Sequence, residues 1–287
     1  MQRKKRCMTQ FLSVPALLLF SAFFVYPLLR GVGMSLTDWD GMGTAHFVGL
    51  RNFIQFFGDK RAINDIKTTL LFAIGSAVLL NLVGLGYALL MNTKFRGKSL
   101  ARMIIYLPAI ISPLIMGYIW YFLLQPGRGY LVYALEQLGL PDLLGNWMSS
   151  YGSAMTVLIL VNVWQFSGMT MIIYLAGLQS IPAELLEAAR MDGANTWQLF
   201  RKVTLPLLLP AIRINVVTNI IGSLSVFDII MSLTEGGPGY ATESLSIYIM
   251  RMCYGSRTGY STAVALILFL IILIPVLISL RLTREKE

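Results

Sequence analysis

Six apolar runs determine the architecture open to this chain, because each is long enough to cross the hydrocarbon core of a membrane. A helix needs about 20 apolar residues to span about 30 Å of hydrocarbon. Only 13% of the 287 residues are charged, whereas soluble domains carry about 25%. The runs lie at approximately 11–36, 68–91, 101–124, 154–176, 206–233 and 261–280. They predict an all-α, polytopic membrane protein with six transmembrane helices, and they exclude an ordinary soluble domain.

The first run follows the basic cluster from Arg3 to Arg6, an arrangement that secretory signal peptides also show. Its apolar core from Phe11 to Leu29 is 19 residues long. Signal peptides have a core of about 7–15 residues followed by small residues at a cleavage site, and no such site follows here. We therefore expect the helix to be retained. The predicted organisation is a basic cytoplasmic N-terminus, residues 1–10, and a single transmembrane domain, residues 11–287.

Lys and Arg residues are distributed unevenly between the loops, which determines the predicted orientation. Of the 23, 14 lie at the ends of the chain and in the loops after the second and fourth runs, and six lie in the alternate loops. Because positive charge marks the cytoplasmic side, both termini are predicted to be cytoplasmic, which requires an even number of spans. Cys7 then lies inside and Cys253 outside, so the two cannot pair within one chain. The net charge of +9 is a topology signal, and nucleic acid is not a predicted partner.

Residues that carry chemistry are scarce. The single histidine, His46, and the two cysteines are too few for a Cys/His zinc site. No stretch resembles a P-loop, and no polar cluster resembles a catalytic centre. The sequence therefore predicts no enzyme activity, no metal site and no cofactor in this chain.

Residues 177–205 form a predicted cytoplasmic loop with a helical pattern. Pro182 favours the first turn of a helix, and Gly193 favours its end, because glycine readily adopts the left-handed conformation. Asn195, with Gln198 three residues later, is typical of a capping box at the start of a second helix. The pattern predicts two short helices that meet at a glycine turn. By itself it favours a hairpin that merely joins two spans.

The octapeptide Glu187–Ala194 (EAARMDGA), followed by Leu205-Pro206, gives this hairpin a more specific interpretation. It resembles the EAA loop of binding-protein-dependent ABC importer permeases, in which the EAA triplet is followed by Asp-Gly at this spacing. The segment from Phe227 to Pro238, with Thr242 beyond it, resembles the carbohydrate-uptake branch, particularly the permeases for maltose and glycerol 3-phosphate. The resemblance covers roughly residues 65–285. 

One departure from the maltose subunit is a short second outer loop, residues 125–153, which lacks that subunit's large insert. The resemblance otherwise implies a type I ABC importer permease fold whose EAA loop is a coupling helix seated on a cytoplasmic ATPase subunit. The implied coupling residues are Glu187, Ala188, Ala189, Asp192, Gly193 and Ala194.

The same resemblance implies the partners and the location. The partners are a second homologous permease, two ATPase subunits that bind ATP and Mg, and an extracytoplasmic solute-binding protein. A heterodimer of permeases is implied by the family type, and a homodimer remains open. The implied location is the cytoplasmic (inner) membrane of a bacterium or an archaeon.

Polar residues at helical spacing near the middle of the fourth and fifth runs predict the translocation path. Unpaired amides are costly in hydrocarbon, so they face a partner or a wet cavity. Amides both donate and accept hydrogen bonds and an indole covers an apolar sugar face, which suits an uncharged polyhydroxyl ligand. The alternative for each residue is a hydrogen bond that holds two helices together. The candidate path residues are Asn162, Trp164, Gln165, Asn215, Asn219 and Ser223.

These patterns predict the membrane-spanning subunit of an ATP-driven ABC importer that carries a sugar or sugar-like solute into the cytoplasm. An ABC permease for amino acids or polyamines would keep the coupling loop but would place charged residues at mid-membrane depth, where this sequence has few. The other alternative is a secondary transporter driven by an ion gradient. Internal inverted repeats would favour it, and none is evident.

Overall fold

Helices account for nearly all the regular structure of the residues that the computed structural model describes, which are 14–93, 95–125, 127–140 and 146–282. Within these ranges, an isolated antiparallel bridge joins Thr37 to Phe47. The predictions for residues 1–10, including Cys7, fall outside the described residues. Cys253 is exposed.

Two of the helices, α1 and α9, each contain a wider π-helical turn. In chain order the helices are α1 (Val14–Ser35), α2 (Arg51–Gly58), α3 (Lys60–Asn92), α4 (Lys98–Ile110), α5 (Pro113–Leu124), α6 (Tyr130–Gln137), α7 (Tyr151–Gln179), α8 (Ala183–Met191), α9 (Thr196–Leu207), α10 (Leu209–Leu224), α11 (Asp228–Leu233), α12 (Leu245–Tyr254) and α13 (Thr258–Leu282).

Four of the described helices, α1, α3, α7 and α13, are long and apolar enough to cross a membrane individually. They correspond to the predicted first, second, fourth and sixth spans. α3 has 33 residues and α7 has 29. At about 1.5 Å per residue both exceed the hydrocarbon thickness of about 30 Å. With two bent helix pairs the described residues provide up to six spans, and the all-α membrane fold is confirmed.

The predicted third span, residues 101–124, is not one helix. It is the pair α4 and α5, which meet at an angle of 97°. Pro113 occupies the first turn of α5, where its missing N–H is not needed, and it holds the preceding Ser112 in a non-helical conformation. The chain therefore turns sharply at Ile111 and Ser112 inside the apolar run.

The predicted fifth span, residues 206–233, also differs from the structure. α9 continues through Pro206, the chain bends by 67°, and α10 then ends at Leu224. α10 has 16 residues, which is about 24 Å and shorter than the hydrocarbon core. A break before Asp228 separates it from the short α11.

Contacts divide the chain into two compact units, and the larger comprises Ile63–Ile247 with the described part of Leu270–Glu287. α7 forms its core, with buried residues spread around the whole helix. Gly168 lets α4 approach α7 closely, because a β-carbon there would lie 2.3 Å from the carbonyl oxygen of Ile105. Small residues at such positions are the usual means by which membrane helices pack.

The smaller unit comprises the described residues up to Ala62 together with Tyr248–Phe269. The buried side chain of Asn52 donates hydrogen bonds of 2.8 Å to the carbonyl oxygens of Ser35 and Thr37. The hydroxyl of Tyr248 donates to Asp59 Oδ2 at 2.6 Å and lies 3.0 Å from the hydroxyl of Tyr260. These bonds hold the chain between α1 and α3 in a defined conformation.

Replacing Gly168 by valine is expected to lower the free energy of unfolding by about 1–3 kcal/mol, because the added side chain collides with the backbone of α4. The measurement is the thermal transition of the detergent-purified protein. Gly86→Val is the matched control, since Gly86 also lies within a helix but has no atom within 4 Å of its β-carbon position. Equal shifts for both variants would contradict this role of the α4–α7 contact.

Candidate coupling and translocation sites

The predicted hairpin is present as α8 and α9. α8 begins at Ala183, directly after Pro182, one residue later than the sequence pattern indicates. Glu184 lies in its first turn and Arg190 in its last, and both charges are favourable with respect to the helix dipole. The preceding helix α7 extends to Gln179, so the first residues of the predicted loop belong to the span.

The turn at the end of α8 has the hydrogen bonds of a Schellman motif. Gly193 has a φ of 82°, which is the predicted left-handed conformation. Its N–H donates to the carbonyl oxygen of Arg190, and the N–H of Ala194 donates to that of Ala189, both at 3.0 Å. The last carbonyl groups of α8 are therefore satisfied within the turn.

The second helix begins with the predicted capping box. The N–H of Gln198 donates to Asn195 Oδ1, and the N–H of Asn195 donates to Gln198 Oε1, both at 2.9 Å. α9 then runs through a π-helical turn, Phe200–Thr204, to Leu207. Local hydrogen bonds therefore fix both the end of α8 and the start of α9.

Apolar side chains are exposed along this hairpin. The exposed fraction is 88% for Met191 and 65% for Trp197, whose ring stacks on that of Phe200. A concave surface of about 420 Å³ lies between α8 and α9. Exposed apolar groups beside a concave surface are typical of a protein-interaction site. The concave surface is lined by Ala189, Asp192, Gly193, Ala194, Gln198, Lys202 and Val203.

Four of the six predicted coupling residues line that surface, and Glu187 and Ala188 lie exposed on α8 beside it. The sequence analysis missed Lys202 and the exposed Met191 and Trp197. The only signal for Met191 and Trp197 was a large apolar side chain in a predicted cytoplasmic loop, and Lys202 had none.

A cavity of about 190 Å³ lies between α3, α7 and α10. It brings together four of the predicted path residues, Asn162, Asn215, Asn219 and Ser223, all of them buried. The remaining lining residues are Leu80, Phe166, Met169, Thr170, Ile173, Thr218 and Gly222.

Two of the cavity amides also join α10 to α7. Asn215 Nδ2 donates to the carbonyl oxygen of Thr170 at 3.2 Å, and the side chains of Asn219 and Thr170 are 3.4 Å apart. The second interpretation given for these residues, a hydrogen bond that holds two helices together, therefore also applies to both amides. Each amide has further donor or acceptor capacity that it can direct to the cavity.

The structure places Trp164 and Gln165 away from this cavity. Trp164 is 46% exposed, and its ring packs edge-on against Trp120 with the centroids 5.3 Å apart. Gln165 is fully buried, and its Nε2 donates to the carbonyl oxygen of Ile111 at 3.1 Å. Each residue turns a helix by about 100°, so Trp164 faces nearly opposite to Asn162.

Sequence reasoning missed Phe166, Thr170 and Thr218 as lining residues. Phe166 and Thr170 follow Asn162 at i+4 and i+8, which is a usable signal because these positions share one helix face. Thr218 precedes Asn219 directly, and only the packing of α10 reveals that both border the cavity.

Comparison with known proteins agrees with this geometry. Residues 80–285 match the family described as binding-protein-dependent transport system inner membrane component. The match covers more than half of the chain, and the chain belongs to this family. It is therefore a permease of the ABC importer class, as the EAA octapeptide predicted.

Relatives align over nearly the whole chain. The probable starch degradation products transport system permease protein AmyD of Thermoanaerobacterium thermosulfurigenes is 34% identical over 274 residues, covering 95% of this chain and 92% of the relative. The trehalose/maltose transport system permease protein MalF of Thermococcus litoralis is 30% identical, covering 96% and 92%. A crystal structure of a bacterial ABC transporter that imports the acidic polysaccharide alginate matches with a TM-score of 0.83 and 25% identity, covering 99% of this chain and 97% of that one.

Replacing Asn195 by alanine is expected to destabilise the start of α9 by about 1 kcal/mol, because the hydrogen bond that the Asn195 side chain accepts from the N–H of Gln198 is lost. Amide hydrogen exchange at residues 196–199 should then accelerate roughly fivefold, as that energy corresponds to about a factor of five in an opening equilibrium. The measurement is hydrogen-exchange mass spectrometry of the full chain in detergent. Asn195→Asp retains the cap and should exchange like the wild type, and faster exchange in both variants would contradict the capping role.

Proposed function

We propose that this chain is the membrane-spanning subunit of an ATP-driven importer that carries a sugar or sugar-like solute into the cytoplasm, with the α8–α9 hairpin as its connection to a partner ATPase. The observation that carries the proposal is the exposed EAA hairpin in a chain of this family. A permease that works alone has no need for a rigid, exposed hairpin with an apolar surface and a concave side.

The hairpin is suited to transmit a movement. Its two helices are joined by a turn whose hydrogen bonds are all internal, so a force on α8 moves α9 and the attached α10 together. Met191 and Trp197 present apolar contact area to the ATPase, and Glu187 presents a carboxylate to a cation there. ATP and Mg are bound by the ATPase subunits, and this chain contributes no catalytic residue.

The cavity between α3, α7 and α10 is suited to a neutral polyhydroxyl solute. Amides and hydroxyls supply donors and acceptors, Phe166 supplies an apolar ring face, and no charged residue is among the described residues that line the cavity. The relatives' names refer to starch degradation products, trehalose and maltose, which are sugars. The proposed contacts to the solute are Asn162, Asn215, Asn219 and Ser223.

The proposed assembly contains a second permease, homologous to this chain, two ATPase subunits and an extracytoplasmic solute-binding protein. A related alginate importer has been solved in complex with a periplasmic binding protein carrying an alginate pentasaccharide, which supports the last of these. Residues 11–287 form one transmembrane domain in the cytoplasmic membrane, with both termini and the loop 177–205 on the cytoplasmic side. The excess of Lys and Arg on that side supports the orientation.

Replacing Gly193 by valine is expected to abolish uptake while leaving the protein in the membrane. The left-handed conformation costs roughly 1–2 kcal/mol for residues with a side chain, and more for a β-branched one, so the turn between the coupling helices is distorted. The measurement is ATP-dependent uptake by proteoliposomes containing the co-purified importer, together with its ATPase rate.

Gly193→Asn is the matched control, because asparagine tolerates the left-handed conformation. It should retain most of the wild-type uptake. Wild-type uptake in Gly193→Val would remove the hairpin from the transport mechanism. Uptake that persists without ATP and collapses with the ion gradient would instead favour a secondary transporter.

Replacing Asn219 by leucine is expected to raise the half-saturating solute concentration for uptake about tenfold, because a buried hydrogen-bonding partner of the solute is lost. The measurement uses maltose, trehalose and alginate oligosaccharides as probes and compares each variant with the wild type on the solute that the wild type transports.

Gln165→Leu is the control, because Gln165 is an equally buried amide of the same bundle that bonds to a backbone carbonyl outside the cavity. It should lower thermal stability and leave the half-saturating concentration unchanged. The same kinetic change in both variants would show that the amides act through packing.

A further inference from the structure

A buried tyrosine links α7 to α3 beside the cavity, although it does not line the cavity itself. Tyr174 is 2% exposed, and its hydroxyl donates to Asn81 Oδ1 at 2.5 Å. One turn earlier on α7, a β-carbon at Gly84 of α3 would lie 2.5 Å from the methyl group of Thr170. α3 therefore packs against one face of α7 over two successive turns, and Thr170 on this face borders the cavity.

A backbone carbonyl fixes the direction of the bond between Tyr174 and Asn81. Asn81 Nδ2 donates to the carbonyl oxygen of Ala77 at 2.7 Å, and a carbonyl oxygen can only accept. The amide of Asn81 therefore turns its oxygen towards Tyr174, since the orientation of an amide follows from its hydrogen-bond partners. Tyr174 is the donor in this bond, and its hydroxyl oxygen is left as an acceptor for a further N–H or O–H group.

Asn215 of α10 supplies that N–H group. Its Nδ2 donates to the carbonyl oxygen of Thr170 at 3.2 Å, one turn before Tyr174 on the same face of α7. Side chains on a helix lean towards its N-terminus, so the ring of Tyr174 is directed back towards Thr170. The amide of Asn215 accordingly interacts with the Tyr174 hydroxyl as well. An amide nitrogen has two hydrogens, and both are directed here at protein oxygens.

The side-chain oxygen of Asn215 is left for the cavity. Asn215 is 1% exposed and lines the cavity, and within the described part of the chain its Oδ1 accepts no hydrogen bond. Asn219, one turn further along α10, differs in this respect. Its side chain meets the hydroxyl of Thr170 at 3.4 Å, and a hydroxyl can both donate and accept, so the direction of that amide is not fixed.

We propose that Tyr174 and Asn81 are positioning residues that hold Asn215 as an acceptor-only contact, so that the solute must present a hydroxyl or N–H group to it. The polar bridge runs from the Ala77 carbonyl through Asn81 and Tyr174 to Asn215, and each side chain donates to the group before it. This inference rests on the proposed function and adds a specificity to it. A solute with a carboxylate, carbonyl or ether oxygen at this point is disfavoured, because the buried acceptor would stay unpaired.

A double-mutant cycle tests the polar bridge without reference to any solute. The co-purified importer carries Tyr174→Phe, Asn215→Leu or both, and its thermal transition is measured in detergent. Because the two side chains share an interaction, the double variant should lose less thermal stability than the sum of the two single losses. The control pair is Tyr174→Phe with Gln165→Leu, whose losses should add, since nine residues of helix separate them by about 13 Å. Additive losses in both pairs would overturn the polar bridge.

Uptake by proteoliposomes tests the positioning role, with maltose, trehalose and alginate oligosaccharides as probes. Tyr174→Phe removes one hydroxyl and keeps the ring. It should raise the half-saturating concentration about tenfold and leave the maximal rate unchanged, because the Asn215 amide is then free to turn its oxygen away from the solute. Asn81→Leu should have the same effect, and the variant with both changes should have no larger one, since all three break the same polar bridge.

The variant with both changes separates positioning from packing. Tyr174→Phe alone leaves Asn81 Oδ1 without its donor, whereas the double variant removes both partners and should regain thermal stability. Its half-saturating concentration should stay raised. Recovery of both quantities, or an unchanged half-saturating concentration in Tyr174→Phe, would overturn the positioning role. A wild-type importer that takes up none of the three probes would count against the proposed function instead, and the thermal cycle would still decide on the polar bridge.

Discussion

The structure depends on one constraint, which is that hydrocarbon supplies no hydrogen bonds to a backbone that leaves a helix. The sharp bend between α4 and α5 lies within an apolar run, and the carbonyl oxygen of Ile111 at this bend accepts a hydrogen bond from the side chain of Gln165 on α7. The carbonyl oxygen of Leu124, at the end of α5, accepts a 2.6 Å bond from the indole of Trp147. This broken span is tolerated because protein groups replace water at the bend and at the end of α5.

α7 consequently serves two purposes in the same few turns. One face accepts α4 closely at Gly168 and satisfies the bend through Gln165. Another face, through Thr170, pairs with the amides of α10 and borders the cavity proposed for the solute. The direction of a polar residue on this helix therefore determines which neighbouring helix it contacts. α10 has a similar division, with amides on one face and an apolar groove on another.

The hairpin shows how far sequence reasoning reaches. Its two helices, the left-handed Gly193 and the Asn195 capping box were all predicted, because each depends on residues no more than a few positions apart. The boundary of α8 was misplaced by one residue, since proline is acceptable both in the first turn and directly before it. The exposure of Trp197 could not be predicted, because an apolar residue in a loop is buried or exposed according to what packs over it.

The sequence by itself determined that this chain is a helical membrane protein with an EAA hairpin, because hydrophobic run length, charge distribution and capping signals act locally. Only the tertiary structure decided that the third run folds as two helices and that the fifth ends early, since an apolar run specifies burial and not straightness. It also decided which amides border the cavity. Asn162 and Gln165 are both amides near the middle of the fourth run, so the sequence does not show which of them borders the cavity. A buried amide bonds to whichever backbone group its neighbour presents. Gln165 bonds to the carbonyl oxygen of Ile111 next to the end of α4, whereas Asn162 lines the cavity.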